Sequence, residues 1–409
     1  MKDQTETHAA LKNLEYRDGE LLWGGRKVTA LAEELGTTPF YAYDRERMAQ
    51  RVAALRETMP PDLQLHYAMK ANPMPAVVKV MVGLVDGLDV ASAGELRVAL
   101  GTGVDPGVIS FAGPGKRDPE LSDAIQAGVT INMESATEMR RIARLGDALG
   151  KRPAVAIRVN PPFELKTAGM KMGGRPSAFG VDAEQVPAML AELASLDLDF
   201  RGFHIFSGSQ NLRVEAIEES MNKTVELVIG LAGTTDLEVS FVNLGGGLGI
   251  PYFPKEQALD LAAVGEPARR AVDRLQKALG DVDVIMELGR YLVGEAGIYV
   301  CRVIDIKESR GARFAVCDGG LHHHLAASGN FGQVIRKNYP VAAVTLTGEQ
   351  QQVSVVGPLC TPLDLLGDRV TMSALREGSL VAVLQSGAYG KSASPEAFLS
   401  HPPCAEILV

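Results

Sequence analysis

The chain has 409 residues, of which 46% are apolar and 22% are charged, so it can bury a large core and is not a disordered protein. At ~150 residues per domain, this length predicts two or three domains, and a parallel α/β barrel of ~250 residues would leave room for one smaller domain. The 41 Lys and Arg residues against 50 Asp and Glu give a net charge of −9, which argues against nucleic acid as a partner.

The distribution of charged and apolar residues predicts a cytoplasmic protein without a membrane-spanning segment. Charged residues occur throughout the first thirty positions, so no apolar signal-peptide core is present. The most apolar run, at 76–85, contains Lys79 and is far shorter than the ~20 residues that a membrane span needs. Cys301, Cys317, Cys360 and Cys404 form no CxxC pair, which favours free thiols over a disulfide framework or a zinc site.

Between residues 44 and 289, short β-branched or apolar runs alternate with longer segments of helical period, a pattern typical of βα units and a parallel sheet. The predicted strands are 65–69, 88–91, 108–112, 129–133, 154–159, 202–206, 239–244 and 284–288. Predicted helices include 74–82, 135–149, 214–231 and 257–279. Eight parallel units close into a barrel, and an open doubly wound sheet is the alternative.

After Gly289 the pattern changes to strands separated by turns. These strands are predicted at 298–308, 313–316, 342–347, 352–356, 379–385 and 405–409. Residues 18–43 also look extended, with a Gly-Gly turn at 24–25, and could pair with this second domain. We therefore predict an α/β fold: a (β/α)8 TIM-like barrel over residues 44–289, plus an all-β domain formed by residues 1–43 together with 290–409.

Two titratable residues stand at the carboxyl ends of predicted barrel strands, where barrels place their chemistry. Lys70 follows an apolar strand, where desolvation would lower its pKa and free the amine for covalent catalysis; a lysine at the solvent-exposed rim is the alternative. Glu287 lies on an otherwise apolar strand and needs a buried partner. A protonated pyridine nitrogen would serve, and a salt bridge with Arg158 is the competing explanation.

A glycine triplet, Gly245, Gly246 and Gly247, follows the seventh predicted strand. Without Cβ atoms, its backbone N–H groups can converge on an anion, and the loops after strands 7 and 8 commonly bind phosphate. Arg290, after the eighth strand, adds a bidentate donor. The sequence therefore predicts a phosphate site, with a plain tight turn as the alternative.

Six motifs in one order resemble the pyridoxal-phosphate decarboxylases of the diaminopimelate and ornithine decarboxylase family, which have an alanine-racemase-like barrel. The motifs are Tyr67-Ala-Met-Lys-Ala-Asn72, Gly208-Ser209-Gln210, Gly245–Gly247, Glu287-Leu-Gly-Arg290, Gly357-Pro-Leu-Cys360 and Gly387-Ala-Tyr389-Gly390.

The resemblance covers nearly the whole chain and implies a role for each matching residue. It implies that Lys70 carries pyridoxal 5'-phosphate covalently, that Glu287 pairs with the ring nitrogen, and that Cys360 returns a proton after carbon dioxide leaves. Cys360 would reach the barrel of a partner subunit, so the resemblance also implies a homodimer with composite sites. The remaining implied cofactor contacts are Asp89 and Arg158 around Lys70, and Ser209, the glycine triplet, Arg290 and Tyr389 at the phosphate.

This sequence departs from the family where the ring face and the distal end of the substrate are recognised. Phe206 occupies the position of the usual ring-facing histidine, and His204, two residues earlier on the same strand face, could take over part of its role or be a buried structural histidine. Thr361 replaces the acidic residue that follows the cysteine, and the expected arginine is replaced near Ala326. Free diamino acids would need charged partners there.

A Gly-rich, basic segment at 164–176 carries Lys166, Lys171 and Arg175 against one glutamate. Together with Phe206 and the triplet His322-His323-His324, it resembles a subgroup whose substrates are aminoacyl groups tethered to an acyl carrier protein, or that is associated with exosortase systems. The segment could receive an acidic carrier or be an ordinary mobile lid. Thr361, His322, His323 and Lys171 are the candidate substrate contacts.

Consecutive histidines cannot readily point at one ion, so we predict no metal site. The predicted function is pyridoxal-phosphate-dependent α-decarboxylation of an amino acid or aminoacyl derivative. The alternatives are decarboxylation of free meso-diaminopimelate, ornithine or lysine, an amino-acid racemase, and a noncatalytic cofactor-binding regulatory protein. A racemase would need a second base, and a pseudoenzyme would be expected to have lost Lys70 or Cys360.

Overall fold

Eight parallel strands close into a barrel in the computed structural model, which describes residues 8–164, 170–171 and 173–409. The strands are β1 (Leu63–Ala68), β2 (Gly87–Val90), β3 (Ile109–Phe111), β4 (Thr130–Met133), β5 (Ala154–Asn160), β6 (Asp199–Ile205), β7 (Phe241–Gly246) and β8 (Asp283–Leu288). Parallel pairing of β8 with β1, in which Leu288 lies opposite Tyr67, closes the cylinder. The predicted barrel is confirmed, and the open sheet is wrong.

The strands are almost entirely buried, because each is covered by barrel interior on one face and by helices on the other. The α-helices of the described chain are Ala9–Lys12, Val28–Leu35, Arg45–Thr58, Pro75–Val82, Ala93–Gly101, Asp118–Ala127, Ala136–Leu149, Val186–Leu193, Val214–Ala232, Ala262–Leu279 and Arg290–Val293. No helix among the described residues combines the length and the hydropathy that crossing a bilayer requires.

Local signals set the helix limits. The Ser135 side chain accepts a hydrogen bond from the Glu138 N–H and starts the helix Ala136–Leu149, and Gly150, at φ 63°, ends it in the left-handed conformation. Helix Ala262–Leu279 begins five residues later than predicted, because Asp260 accepts a hydrogen bond from the Ala263 N–H at 3.3 Å. Residues 251–257, at the predicted start, belong to the second structural unit.

The second unit comprises residues 1–50, 251–257 and 292–409, and the barrel unit comprises 51–250 and 258–291. The main sheet of the second unit contains β9 (Gly297–Ser309), β10 (Ala312–Cys317), β11 (Val341–Ala343), β12 (Gln350–Val356), β13 (Leu365–Ser373) and β14 (Leu380–Val383). These strands have the order β11-β14-β9-β10-β12-β13, and strand Phe40–Tyr43 lies between β9 and strand Ala405–Leu408. The predicted all-β domain is confirmed as a sheet structure.

Two sequence predictions in this unit were wrong. Residues 18–43 are not extended throughout: Val28–Leu35 is a helix, because Val28, Leu31 and Ala32 recur with helical period and are buried. The Gly24-Gly25 turn does join two short strands, Glu20–Trp23 and Arg26–Lys27. The prediction also missed β13, whose alternation is interrupted where Arg369 adopts φ 47° and where its pairing with β12 is bulged.

Candidate active site

Lys70, Glu287 and His204 meet at one end of the barrel. β1 ends at Ala68, and a 3-10 turn, Met69–Ala71, presents Lys70 beside β8, which carries Glu287. The Lys70 Nζ lies 3.4 Å from Glu287 Oε1, and the His204 Nε2 lies 3.1 Å from Glu287 Oε2. The Lys70 side chain is 45% exposed and that of Glu287 is 5% exposed. The amine is therefore partly hydrated rather than strongly desolvated, and it faces a buried carboxylate.

The Glu287 carboxylate is held in its charged form. Burial by itself would raise its pKa, but the positive charge of Lys70 and the hydrogen bond with His204 outweigh burial, so the pKa of Glu287 lies well below its usual range. The competing explanation, a salt bridge with Arg158, is wrong, because Arg158 Nη1 lies 2.9 Å from Glu134 Oε1.

An aromatic ring and a histidine accompany the lysine. The Lys70 Nζ lies 5.2 Å from the centroid of the Phe206 ring, within the range of a cation–π contact. His204 is 2% exposed, and its Nδ1 has no hydrogen-bond partner. Its ring is therefore a buried partner of Glu287, while Phe206 presents only an apolar face.

The glycine triplet lies in a space that admits no side chain. A Cβ on Gly245 would lie 2.5 Å from Ile205 O, one on Gly246 would lie 1.8 Å from Glu287 O, and one on Gly247 would lie 2.5 Å from Gly208 O. Gly245 and Gly247 also adopt φ 71° and 99°, where glycine is favoured.

The segment that carries Ser209 runs beside this triplet. Asn211 N–H donates to Gly247 O, and Gly249 N–H donates to Asn211 O, each at 2.8 Å. Ser209 is thereby brought near the triplet. Arg290 is the first residue of the short helix that follows β8. The close approach of neighbouring backbone carbonyls explains why glycine occupies all three positions, and the Gly245 N–H donates to Asn243 Oδ1 at 2.8 Å.

Asp89 and Arg158 each bond to a partner other than Lys70. Asp89 accepts a hydrogen bond from the Ser110 hydroxyl and lies 3.7 Å from His66 Nδ1. Arg158 is bound to Glu134, and its Cζ lies 5.1 Å from the Phe179 ring centroid.

The remaining candidates lie in the β unit. Cys360 is exposed, and Thr361 follows it in a turn where the Thr361 N–H donates to Leu359 O at 2.8 Å. Cys301, Cys317 and Cys404 are buried free thiols. Tyr389 is half-buried, with its ring centroid 6.5 Å from that of Phe331.

The histidine triplet is packed in the interior of the β unit. His323 Nε2 lies 2.9 Å from Pro402 O, and His324 Nε2 lies 2.8 Å from Ser386 Oγ. The His322 ring lies between those of His323 and His401, at centroid distances of 3.7 and 4.9 Å and tilted by 42° and 40°. Burial lowers the pKa of His322 and of His324 to about 3, so both rings are neutral. Within the described residues, no group of His, Cys, Asp or Glu has the arrangement of a metal site.

The basic segment contains three of the predicted residues, Lys166, Lys171 and Arg175. Lys166 and the side chain of Lys171 lie outside the described residues. Arg175 is described and forms an ion pair with Glu164.

Sequence reasoning missed Glu134, Lys116 and Glu138. Glu134 directly follows β4 and receives Arg158, and Lys116 Nζ lies 3.1 Å from Glu138 Oε1. A signal was available, because an acidic residue after an apolar strand at the catalytic end of a barrel is as unusual as Glu287.

The residues present fit pyridoxal phosphate. A buried anionic carboxylate can hold a proton at a pyridine nitrogen, the Lys70 amine is accessible to an aldehyde, and the glycine backbone leaves no room for side chains where a phosphate would need N–H donors. This donor set has the three features that the cofactor requires.

Comparisons with known proteins agree. Residues 45–294 match the family model described as pyridoxal-dependent decarboxylase, pyridoxal binding domain. The chain is 40% identical over 393 residues to L-glutamyl-(BtrI acyl-carrier protein) decarboxylase of Niallia circulans, covering 93% of this chain and 91% of that one. It is 34% identical over 404 residues to diaminopimelate decarboxylase of Aquifex aeolicus, covering 97% and 92%.

A solved structure has the same fold. Diaminopimelate decarboxylase from M. jannaschii in complex with L-lysine matches with a TM-score of 0.89 and 26% identity, over 98% of this chain and 93% of that chain. The family resemblance, the pyridoxal phosphate cofactor and the decarboxylase activity predicted from the sequence are confirmed. This chain belongs to the family of pyridoxal-dependent decarboxylases.

Proposed function

We propose that this decarboxylase acts on an α-amino acid whose side chain is joined through an acyl group to a carrier protein. Cleavage at the α-carbon requires a free α-carboxylate and α-amine, so the attachment must be through the side chain. The distal end of such a substrate is neutral, whereas that of a free diamino acid is charged.

The observation that carries this proposal is the absence of charged residues from the stretch that contains Ala326. No Asp, Glu, Lys or Arg occurs from Gly319 to Gln333. His322 and His324 in this stretch are buried and neutral, so they add no charge to it. The family resemblance implies charged residues near Ala326 and at the position of Thr361, and this chain has neither. A buried distal ammonium would be costly without a charged partner. The 40% identity to a decarboxylase of an L-glutamyl carrier protein supports the same substrate class.

The proposed roles of the barrel residues follow from their positions. Lys70 binds the cofactor covalently, and Glu287 holds a proton at the ring nitrogen while His204 fixes the carboxylate. The glycine triplet, Ser209, Arg290 and Tyr389 hold the phosphate, and Phe206 covers one ring face. When bound, pyridoxal phosphate supplies the sink for the electrons released as the α-carboxylate leaves. The Cys360 thiol then gives a proton to the α-carbon.

We propose that the active enzyme is a homodimer. Among the exposed large apolar side chains of the β unit, four lie on two neighbouring segments, namely Phe331, Val334, Ile335 and Leu363, at 47%, 100%, 78% and 58%. The two segments that carry them contact each other, since Asn330 Nδ2 donates to Leu363 O at 3.2 Å. This patch adjoins the exposed Cys360 in sequence, and a second copy that covers it would bring the thiol to a barrel. Light scattering should give twice the chain mass for the wild type and the single-chain mass for Val334→Asp/Ile335→Asp; a wild-type monomer would refute the dimer.

Release of carbon dioxide from a panel of substrates tests the substrate class. L-Glutamyl carrier protein should exceed meso-diaminopimelate, ornithine and free L-glutamate in kcat/KM by at least about 100-fold. Faster turnover of meso-diaminopimelate would establish the second candidate, which the identity to the Aquifex aeolicus enzyme favours. Change of chirality without carbon dioxide release would indicate a racemase.

A further inference from the structure

Four charged side chains form a buried network at the ends of β3, β4 and β5. The pair Arg158–Glu134 is 11% and 2% exposed, and the pair Lys116–Glu138 is 2% and 5% exposed. Glu138 Oε2 also accepts a hydrogen bond from the Glu134 N–H at 2.8 Å. Two cations and two anions therefore neutralise each other in a region from which water is largely excluded.

Glu134 joins the parts of this network. Its Oε1 accepts from Arg158 and also from the Gly113 N–H at 2.6 Å, and its Oε2 accepts from the Gly180 N–H at 3.0 Å. Burial alone would raise the pKa of Glu134, but Arg158, the Gly180 hydrogen bond and Lys116 together lower it below its usual range. One carboxylate thus connects the segment after β3, the end of β4, the β5 strand and Gly180.

A second carboxylate, that of Glu287, lies within electrostatic range of Arg158. Arg158 lies opposite His204 in the pairing of β5 with β6, and His204 forms a hydrogen bond with Glu287. The charge of Arg158 contributes to lowering the pKa of Glu287. The Arg158 guanidinium nevertheless donates a hydrogen bond to Glu134, and its plane lies against the Phe179 ring. These two contacts hold the guanidinium in one orientation.

We propose that Glu134 is a positioning residue that keeps Arg158 from pairing with Glu287. An Arg158–Glu287 ion pair would occupy the carboxylate that Lys70 and His204 now share. By binding Arg158, Glu134 leaves Glu287 available to those two residues and places a fixed positive charge beside them. This inference rests on the proposed function, because it assigns a reason for the arrangement of the same site.

Three variants test the proposal: Glu134→Gln, Arg158→Met and the double variant. Glu134→Gln should lower kcat/KM by about 10- to 100-fold, as expected when a site is misplaced by about 1 Å. It should also shift the pH profile of kcat/KM and that of the bound cofactor's absorbance. Because the defect acts through Arg158, the double variant should be no worse than Arg158→Met alone.

The control is Glu192→Gln, which breaks an exposed Arg140–Glu192 pair, joined at 2.5 and 2.7 Å, and should leave both profiles unchanged. If Glu134→Gln does not fold, the comparison of Arg158→Met with the double variant remains, since the double variant buries no unpaired charge from this pair. Additive losses, or unchanged pH profiles in Glu134→Gln, would overturn the proposal. A wild type that releases no carbon dioxide would instead refute the proposed function.

Discussion

The barrel face around Lys70 is rich in charged side chains, whereas the β-unit loops around Cys360 are mostly neutral. The barrel face concentrates charge: Lys70, Glu287, Arg158, Glu134 and their partners form ion pairs of which several are almost fully buried. The β-unit loops hold neutral histidines. Their one buried carboxylate close to Cys360, that of Asp364, accepts the Leu321 and Leu359 N–H groups at 2.6 and 2.8 Å.

The difference separates a barrel face built from buried ion pairs from loops that, in the proposed function, meet a neutral distal end of the substrate. Charges that hold and tune one cofactor must be kept together, because removing one partner leaves the other buried and unpaired. Loops that recognise the distal end of a substrate can lose their charges without such a penalty. Four changes test this division, from the largest expected effect to the smallest.

Removing the amine of the barrel site should have the largest effect. Lys70→Ala should abolish the absorbance of covalently bound cofactor and lower kcat by at least about 10⁴-fold, because no other described group offers an amine beside Glu287. Lys79→Ala, on the exposed side of helix Pro75–Val82, is the matched control. A retained absorbance band in Lys70→Ala would contradict the attachment.

Neutralising Glu287 should cost about 10²- to 10³-fold in kcat. Glu287→Gln keeps the shape but leaves Lys70 and His204 without their anion. Because the folded-state pKa of Glu287 is depressed, its stabilisation is fully present above its unfolded pKa of about 4.3 and is lost as the pH falls below that value. Thermal unfolding between pH 5 and pH 3 should therefore be less acid-sensitive in Glu287→Gln. Equal sensitivity would show that Glu287 is not held in its charged form.

Changing the β-unit thiol should slow proton return and spare cofactor binding. Cys360→Ala should keep the absorbance band, lose about 10²-fold in kcat and divert part of the flux to transamination. Cys404→Ala, which removes a buried thiol of the same unit, should retain wild-type turnover. Unaltered turnover in Cys360→Ala would remove that residue from the mechanism.

The buried histidines should affect stability alone. Burial lowers the pKa of His324 to about 3 in the folded protein, whereas the unfolded pKa is about 6.5. The free energy of unfolding is therefore unaffected by His324 above pH 6.5 and decreases by about 1.4 kcal/mol per pH unit as the pH falls from 6.5 toward 3. His324→Phe should flatten the fall of the unfolding free energy between pH 6.5 and pH 4.5. A slope equal to that of the wild type would show that His324 is already charged when folded.

The sequence was sufficient wherever one local pattern controlled the outcome. The eight barrel strands were placed from their alternation with helical segments, and helix Ala136–Leu149 was predicted at 135–149 as one of those segments. The prediction was wrong where the alternation along a strand was interrupted, as at β13. It was also wrong at Val28–Leu35, where a short helix lies between extended segments. The residue types of the site were found because Lys70 and Glu287 are costly in an apolar strand context, and such a cost is visible in a single sequence.

What the sequence by itself determined is the barrel, the second sheet domain and the resemblance to the pyridoxal-dependent decarboxylases. Only the tertiary structure decided the partners: Glu287 pairs with Lys70 and His204, whereas Arg158 pairs with Glu134. The physical reason is that a charged side chain meets its partner across strands far apart in sequence. Strand register and burial select among several possible carboxylates, and neither is written in the spacing of residues along the chain.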